Sequence, residues 1–266
     1  MIAILGGSGL DRWPQLGPLK PQSVSTPYGE PAAPLLCGRI DDIAVCFLPR
    51  HGAAHNLPPH RINYRANLWA LKQAGARAVV AVATVGSIPA HIPPGALVLP
   101  DQIVDYTHGR EATFFDGDCL DDAGSRVEHI EFTEPYDAGL RAALRTAAAD
   151  NGIALIDGAT YAATQGPRLE TRAEIDRLER DGCHIVGMTG MPEAALAREL
   201  ALPYACLAVV ANRAAGRGGS SLLAEIEQHL AGGIAAAQRL LMAALPGLAA
   251  TCQPAPGNTP APGSPL

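Results

Sequence analysis

Short apolar runs of strand length alternate with helical patterns along most of the chain, and this alternation constrains the fold more than any other feature. The runs are almost continuously apolar, which is typical of strands buried on both faces of a sheet. They lie at residues 2–5, 43–48, 78–84, 96–99, 184–188 and 204–211. The helical patterns lie at residues 61–74, 137–151, 171–180, 192–200 and 222–245. The sequence therefore predicts an α/β fold, a single domain with a central mixed β-sheet flanked by helices.

The regular patterns end near Leu245, which predicts one domain over residues 1–246. Of the 266 residues, 48% are apolar and 17% are charged, which is enough for one substantial core. Residues 247–266 contain five prolines and no acidic or basic residue. A segment of this composition buries too little apolar surface to fold. The sequence therefore predicts a disordered Pro/Ala-rich tail over residues 247–266.

The formal net charge of −6 argues against a protein that binds nucleic acid. Any phosphate site must therefore be built locally, from a few basic side chains and backbone N–H groups. No apolar run approaches the length of a membrane span, and the N-terminal residues lack a signal-type stretch, so we expect no membrane partner. The six cysteines are scattered without a C-x-x-C pair, which favours buried free thiols in a reducing cytoplasm.

Three polar motifs stand at the ends of apolar segments in the second half of the chain. They are QGPRLET at residues 165–171, GMTGMPEA at residues 187–194 and VVAN at residues 209–212. They supply a carboxylate (Glu170), a hydroxyl (Thr189) and a carboxamide (Asn212) where the loops of an α/β protein converge on a small ligand. An amide both donates and accepts hydrogen bonds, whereas a carboxylate only accepts. The pair predicts a heterocycle with both a lone pair and an N–H, such as a 6-oxopurine.

A glycine-rich stretch at residues 6–9, with the sequence GGSG, follows the first apolar run. A dinucleotide fingerprint would need glycine in place of Ser8 and Asp11, and an esterase elbow would need it in place of Leu10. The Gly-Lys-Ser/Thr of a P-loop is also missing. The stretch is therefore either a tight strand-to-loop turn or a loop whose N–H groups and Ser8 hydroxyl bind free phosphate.

The pair Arg50-His51 ends another apolar run. Arginine offers a planar fork of donors that matches phosphate, and histidine adds a switchable donor beside it. His51 and His55 are four residues apart, but Gly52 stands where the zincin pattern requires glutamate, and two prolines soon break any helix. The spacing therefore favours an anion site over a metal site.

Taken in order, these motifs resemble the trimeric purine nucleoside phosphorylase and methylthioadenosine phosphorylase family. The match continues through PRHG at residues 49–52, NYRAN at residues 63–67 and PGALV at residues 94–98, and it covers roughly residues 2–245. The resemblance implies the nucleoside phosphorylase fold and a pentosyltransferase that acts on a purine nucleoside with inorganic phosphate as co-substrate. It also implies a homotrimer and no metal or organic cofactor.

The resemblance also implies a role for individual residues. Phosphate would be bound by Ser8, Arg50, His51, Thr84 and Thr189, and the nucleoside by Glu170, Met188, Asn212, Arg213 and Ala214. Asn212 would stabilise the leaving purine at N7 while Glu170 holds the ring edge. His129 would reach the sugar pocket of the neighbouring subunit. For three of these residues the plain alternative stays open: a turn for Thr84, a core position for Met188 and a surface loop for His129.

Two departures within the family concern the substrate. Methylthioadenosine phosphorylases carry aspartate at the positions of Asn212 and Ala214, so the residues here favour a 6-oxopurine over adenine. General purine nucleoside phosphorylases place a histidine near the 5′-hydroxyl, where an ungapped count finds Ile226, with Leu223 on the same helical face. This apolar wall favours a 5′-methylthio group, unless both residues belong to the core.

The sequence therefore predicts phosphorolysis of S-methyl-5′-thioinosine as part of purine salvage. A general inosine/guanosine phosphorylase and a methylthioadenosine phosphorylase are the alternatives among enzymes. Outside enzymes, the alternative is an inactive nucleoside-binding protein.

Overall fold

The computed structural model describes residues 1–10, 13, 16–117, 128–219 and 221–252. In these residues eleven strands form one mixed sheet with five helices packed around it. The strands are β1 (Ile2–Gly6), β2 (Lys20–Gln22), β3 (Leu35–Ile40), β4 (Ile43–Pro49), β5 (Ala78–Ser87), β6 (Leu97–Leu99), β7 (Gln102–Asp105), β8 (Ile156–Asp157), β9 (Thr160–Ala163), β10 (Ile185–Gly187) and β11 (Tyr204–Arg213). The helices are α1 (Tyr64–Gln73), α2 (Ala138–Asp150), α3 (Arg172–Arg180), α4 (Gly190–Glu199) and α5 (Leu222–Thr251). The predicted α/β fold with a central mixed sheet is confirmed.

The long strand β5 is the centre of the sheet. The strand order is β2-β3-β4-β1-β5-β10-β9-β7, and a second branch leaves β5 through β11, β6 and β8. β1 runs parallel to β5 over residues 78–81, whereas β10 runs antiparallel to it at residues 86–87. β1 and β10 therefore pair with separate parts of β5, and the stretch between those parts borders an opening.

Successive residues of β5 and β11 alternate between two apolar cores. In β11, Cys206 and Ala208 face one core, and Leu207 and Val209 face the other. Helices α1 and α4 contribute to the first core, and α2 and α5 to the second. Because both faces of the sheet are covered, each strand is apolar at nearly every position, which explains the continuous apolar runs in the sequence.

The predicted elements are all present, and their ends lie within three residues of the prediction except at the end of α5. Helix α1 begins three residues late because Asn63 caps it, with Oδ1 accepting the N–H of Ala66 at 3.0 Å. The prediction missed β2, β3, β7, β8 and β9. These strands are short or carry exposed polar residues, so they lack the continuous apolar signal.

Helix α5 continues through Pro246 to Thr251. The prediction that a disordered tail begins at residue 247 is therefore wrong for residues 247–251. Leu248 is fully buried in the core cluster that also contains Leu144 of α2. Tertiary packing of an apolar side chain stabilises a helical turn more than local propensity does, so the helix extends beyond the proline. Residues 253–266, the rest of the predicted tail, lie outside the described residues.

Helix α5 is also long and apolar enough, by length and composition, to cross a membrane, with a mean hydropathy of 1.3 in its most apolar stretch. The expectation that no apolar segment reaches this length is wrong on that measure. However, 44% of that stretch is buried inside the protein. A Cβ added at Gly233 would come within 2.5 Å of Val209 Cγ1 in β11, so the helix packs directly on the sheet. Such packing is typical of a core helix.

Candidate active site

A cavity of about 210 Å³ opens where β1, β5, β10 and β11 end. It borders the stretch of β5 between the parts paired with β1 and β10, so Thr84 and Val85 reach its wall. Nine of the thirteen residues predicted for the site line it: Ser8, His51, Thr84, Glu170, Met188, Thr189, Asn212, Ala214 and Ile226. The chain thus brings together residues that are up to 218 positions apart. The other four residues lie elsewhere, and each is described below.

One end of the cavity collects hydroxyl and imidazole groups. The Thr84 hydroxyl donates to the carbonyl oxygen of Ser8 at 2.8 Å, which holds the glycine-rich loop against β5. His51 Nδ1 lies 2.8 Å from the Leu57 carbonyl oxygen. Since a carbonyl only accepts, Nδ1 carries a proton, and Nε2 accepts in the neutral ring and donates in the charged ring. Thr189 is the N-cap residue of α4, but its side chain does not cap the helix.

His55 is a residue that the sequence analysis considered only as a metal ligand. Its Nε2 lies 3.5 Å from Ser8 Oγ, and its ring centroid lies 4.8 Å from that of His51. Its backbone adopts the left-handed conformation with φ of 51°, which is uncommon outside glycine. The spacing of His51 and His55, four residues apart, was the signal for this proximity. His55 does not itself line the cavity, but it lies next to Ser8 and His51, which do.

Arg50 does not line the cavity, in contrast to the phosphate contact that the sequence predicted. Its side chain is fully buried, with Nε and Nη2 donating to the Glu193 carboxylate at 2.8 and 2.7 Å. Nη1 donates to the Val82 carbonyl oxygen at 2.8 Å. A buried guanidinium requires a counter-charge, and Glu193 supplies it from the first turn of α4. The side chain lies behind Gly7, where an added Cβ would be 3.0 Å from Nη1.

Arg50 keeps its positive charge although it is buried. Burial lowers the pKa of Arg50, but the charge and hydrogen bonds of Glu193 outweigh it and raise the pKa above its ordinary value. The Tyr204 hydroxyl donates a further bond to Glu193 Oε1 at 2.8 Å. Burial, followed by the nearby negative charge of Glu193, raises the pKa of Tyr204 well above its ordinary value. Arg50 therefore packs behind Gly7, a residue of the cavity wall, and Glu193 neutralises its charge.

Asn212 is placed by an irregularity in β11. The pairing of β11 with β5 shifts between Val210 and Asn212, so Asn212 lies opposite Gly86 and Ala211 forms a bulge. A bulge re-aims the side chain that follows it. Asn212 Nδ2 donates to the Arg213 carbonyl oxygen at 2.7 Å. This bond uses one amide N–H, and the second N–H and Oδ1 remain to bind a ligand.

Glu170 is held from both sides of its loop. The Thr164 hydroxyl donates to Glu170 Oε1 at 2.7 Å, and the Thr164 N–H donates to the Gly187 carbonyl oxygen at 2.8 Å. On its other side, Thr171 and Glu174 form a reciprocal capping box at the start of α3. The carboxylate is therefore fixed in a cavity wall that Asn212 and Ala214 also line.

Helix α5 forms an apolar wall of the cavity. Leu222, Ile226 and Leu230 line it, at intervals of four residues on one helical face. Leu223 was predicted to share this wall, but its side chain is 70% exposed. The structure does not place Leu223 at the cavity, because the face of α5 that lines the cavity follows the four-residue spacing through Ile226, whereas Leu223 is three residues from Ile226. The four-residue spacing is visible in the sequence and could have identified Leu222 and Leu230.

Arg213 and His129, the last two predicted residues, also lie away from the cavity wall. The Arg213 side chain donates to the Ala90 carbonyl oxygen at 3.2 Å, and its backbone N–H donates to Glu225 Oε2 at 2.7 Å. A hydrogen bond from Arg213 therefore connects the end of β11 to the first turn of α5, and the Arg213 side chain does not line the cavity. His129 is exposed. Its predicted role concerns a neighbouring subunit, so it stays a prediction.

Comparison with known protein families matches residues 1–246 to the Phosphorylase superfamily. The chain belongs to this superfamily. This phosphorylase is 52% identical over 217 residues to a probable S-methyl-5′-thioinosine phosphorylase of Xanthomonas campestris pv. campestris, covering 82% of this chain and 85% of the relative. It is 43% identical over 249 residues to the 6-oxopurine nucleoside phosphorylase of Pyrococcus furiosus, covering 92% of each chain.

Among solved structures, the phosphorylase is similar to the methylthioadenosine phosphorylase from Schistosoma mansoni in complex with tubercidin. The TM-score is 0.85 at 31% identity, over 94% of this chain and 92% of the other. The nucleoside phosphorylase fold predicted from the motifs is therefore confirmed. The phosphorylase is an enzyme of the pentosyltransferase type, as the sequence predicted.

Proposed function

We propose that this phosphorylase cleaves S-methyl-5′-thioinosine with inorganic phosphate, giving hypoxanthine and 5-methylthioribose 1-phosphate. One observation carries the proposal. The same cavity contains the carboxamide of Asn212 and the carboxylate of Glu170 together with an apolar wall from α5. The first pair matches a 6-oxopurine, and the apolar wall matches a 5′-methylthio group.

The base would be recognised by complementary hydrogen bonds. Glu170 accepts from the N1–H of hypoxanthine, while the Asn212 amide donates to O6 and accepts from N7 once N7 is protonated. Adenine would leave these groups mismatched, since its amine donates where O6 accepts. Ala214 adds only a methyl group beside Asn212, so the site offers no second carboxylate for an adenine. Unpaired buried polar groups make such a site selective.

The sugar would be selected at its 5′ position. Leu222, Ile226 and Leu230 present only aliphatic carbon to the cavity. A methylthio group gains by leaving water at such a surface, whereas a 5′-hydroxyl loses its hydrogen bonds to water without a replacement. Met188 lines the same cavity and supplies a further apolar contact for the sugar.

Phosphate would bind at the polar end, near Ser8, His51 and Thr189, with Thr84 securing the Ser8 loop. From there a phosphate oxygen attacks C1′ on the face opposite the base. The bond between C1′ and the purine nitrogen breaks, and its electron pair goes to the purine. The purine takes up at N7 the proton that hydrogen phosphate releases to solvent, and Asn212 Oδ1 accepts from this N7–H. The sugar is cation-like in the transition state, and the anionic phosphate stabilises it electrostatically. We propose that the reaction requires no metal and no organic cofactor.

The names of the relatives support the assignment of a 6-oxopurine base and that of a 5′-methylthio sugar. Relatives from Xanthomonas campestris pv. campestris and Pseudomonas syringae pv. tomato, each 52% identical, are named probable S-methyl-5′-thioinosine phosphorylases. The Pyrococcus furiosus relative, at 43% identity, is named a 6-oxopurine nucleoside phosphorylase. That name favours a second candidate function, phosphorolysis of inosine and guanosine. This function would use the same base site, but the sugar would carry a 5′-hydroxyl against the apolar wall of α5, called the 5′ wall below.

We further propose that the active form is a cytoplasmic homotrimer in which His129 of one protomer approaches the sugar site of the next. Exposure of His129 leaves it accessible to a neighbouring protomer. The five cysteines within the described part of the chain are free thiols, which suits a reducing compartment.

The test is a comparison of initial rates on S-methyl-5′-thioinosine, inosine, guanosine and S-methyl-5′-thioadenosine, each with and without phosphate. We expect phosphate-dependent release of hypoxanthine, fastest from S-methyl-5′-thioinosine. Equal efficiency on inosine would favour the second candidate, and preference for S-methyl-5′-thioadenosine would refute the assignment of the base. Binding of hypoxanthine without turnover on any nucleoside would refute the enzyme assignment.

A further inference from the structure

Arg110 lies in the loop after β7 and joins two separate segments of the active site. The segment at the end of β9, residues 164–170, carries Glu170. The segment that follows β10 and includes the start of α4, residues 188–191, carries Met188 and Thr189. Both segments hydrogen-bond to the same guanidinium, which is half-buried and does not itself line the cavity.

The hydrogen bonds of Arg110 reach backbone atoms of both segments. Nη2 donates to the Gln165 carbonyl oxygen at 2.8 Å, and Nε donates to Gln165 Oε1 at 3.1 Å. Nη1 donates to the carbonyl oxygens of Met188 at 2.9 Å and Met191 at 2.6 Å. Because the guanidinium is planar and rigid, it sets the distance between the two segments rather than only binding each of them.

A third part of the cavity wall is attached to the same group. The Arg110 guanidinium lies over the Tyr64 ring, 5.4 Å from the ring centroid, and Nη1 donates to the Tyr64 hydroxyl at 3.2 Å. That hydroxyl in turn donates to the Pro59 carbonyl oxygen at 3.0 Å, and Pro59 lines the cavity. Arg110 thus connects three parts of the site: residues 164–170, residues 188–191 and the start of α1.

The acceptors around Arg110 distinguish it from an ordinary ion pair. Among the described residues, the groups that accept hydrogen bonds from Arg110 are backbone carbonyls, one side-chain amide and one phenol, and none is a carboxylate. A lone charge could be replaced by another cation, but this set of acceptors requires a fork with several fixed N–H directions. Lysine has a single rotating ammonium and cannot reproduce it.

We propose that Arg110 is a positioning residue that aligns the bound purine with the bound phosphate. This inference rests on the proposed function. Attack on C1′ requires phosphate, sugar and base to be held in one geometry, and a displacement of about 1 Å can cost on the order of 10²-fold in rate. Arg110 acts through Gln165 and Met188 and does not contact the reacting atoms.

The first experiment is kinetic. Arg110→Ala should lower kcat/KM for S-methyl-5′-thioinosine by at least about 30-fold, mainly through kcat, because both substrates still bind but are misaligned. Arg110→Lys should recover only a minor part of this loss. Guanidinium at a low, non-denaturing concentration should raise the activity of Arg110→Ala and not that of Arg110→Lys or the wild type. Arg141→Ala is the matched control, because Arg141 is also half-buried but pairs with Asp157 of the edge strand β8, and neither residue lines the cavity.

The second experiment is amide hydrogen exchange of the full chain, which does not depend on activity. Arg110→Ala should speed exchange in peptides covering residues 164–170 and 188–191 and leave peptides of α2 unchanged. Wild-type kinetics in Arg110→Ala, activity lost without rescue by guanidinium, or unchanged exchange in either segment would overturn the inference. A wild type without phosphorolysis would instead refute the proposed function, and the exchange experiment would still decide whether Arg110 couples the two segments.

Discussion

The guanidinium of Arg50 and the carboxylate of Glu193 form a two-point ion pair in which neither side chain has exposed surface, although they are 143 residues apart in sequence. The pair links the end of β4 to the first turn of α4, below the glycine-rich loop. Such a pair is costly to form but far more costly to break, since one charge is then left buried alone.

We expect Arg50→Ala to destabilise the protein by about 3–5 kcal/mol, because Glu193 keeps its burial and loses its counter-charge. The matched control is Tyr204→Phe, which removes only one hydrogen bond to Glu193 and should cost about 1 kcal/mol. Urea unfolding measures both changes. A folded Arg50→Ala variant with the stability of the wild type would contradict the ion pair as the main role of Arg50.

Asn212→Asp should lower kcat/KM for S-methyl-5′-thioinosine by at least about tenfold, because a carboxylate cannot donate to O6 or to the Arg213 carbonyl oxygen. Adenine-type activity should not appear in full, since Ala214 offers no second carboxylate. The control is Asn151→Asp, since Asn151 Nδ2 also donates to a backbone carbonyl, that of Ala147 at 2.9 Å, but lies at the end of α2. Unchanged steady-state rates in Asn212→Asp would remove Asn212 from the base site.

The 5′ wall predicts a measurable preference. The wild type should favour S-methyl-5′-thioinosine over inosine by at least about tenfold in kcat/KM, which corresponds to an unpaired hydroxyl costing ~1–3 kcal/mol. Ile226→His should narrow this ratio by offering the hydroxyl a partner. Leu223→His, on the exposed face one residue from the wall, should leave the ratio unchanged. If Ile226→His and Leu223→His change the ratio equally, Ile226 does not contact the 5′ position of the sugar.

The proposed homotrimer is tested by light scattering, which should give three times the chain mass of 27.6 kDa. His129→Ala should then raise the KM for the nucleoside while the trimer persists. A fully active monomer would exclude both the trimer and a shared sugar site. Glu128→Gln, a change at the adjacent exposed residue, should affect neither property.

The Glu174 carboxylate at the start of α3 predicts a pH dependence of stability. Hydrogen bonds from Arg168, and then from the Thr171 backbone, lower the pKa of Glu174 from 4.5 to about 2. A lowered pKa stabilises the folded state above the unfolded pKa, and this stabilisation is lost as the pH falls. Glu174→Gln should therefore lower Tm at neutral pH, and its difference from the wild type should shrink as the pH falls from 4.5 towards 2.

The control for this pH effect is Glu179→Gln, in the last turn of the same helix. Glu179 pairs with Arg217 at an exposed site and does not cap the helix, so its loss should change Tm less. An equal effect of the two variants, or a Glu174→Gln effect that does not depend on pH, would contradict a stabilising role of the Glu174 charge.

Local patterns in the sequence predicted the secondary structure well wherever burial is uniform. The apolar runs of β5 and β11 predict strands covered on both faces, and the structure covers both. The short or polar strands β2, β3, β7, β8 and β9 escaped prediction, because hydrogen bonds to neighbouring strands define them rather than their own apolar pattern. The extension of α5 past Pro246 depends in the same way on the burial of Leu248, a tertiary contact.

The sequence by itself determined the α/β class, the family motifs and nine of the nineteen residues that line the cavity, because these depend on residue type and order along the chain. Only the tertiary structure decided which of several residues close together in sequence turn their side chains into the cavity. A bulge at Ala211 aims Asn212, the four-residue helical period places Ile226 inside and Leu223 outside, and Glu193 binds the fork of Arg50. Side-chain direction and charge pairing are set by contacts between residues far apart in sequence, so the local pattern does not contain them.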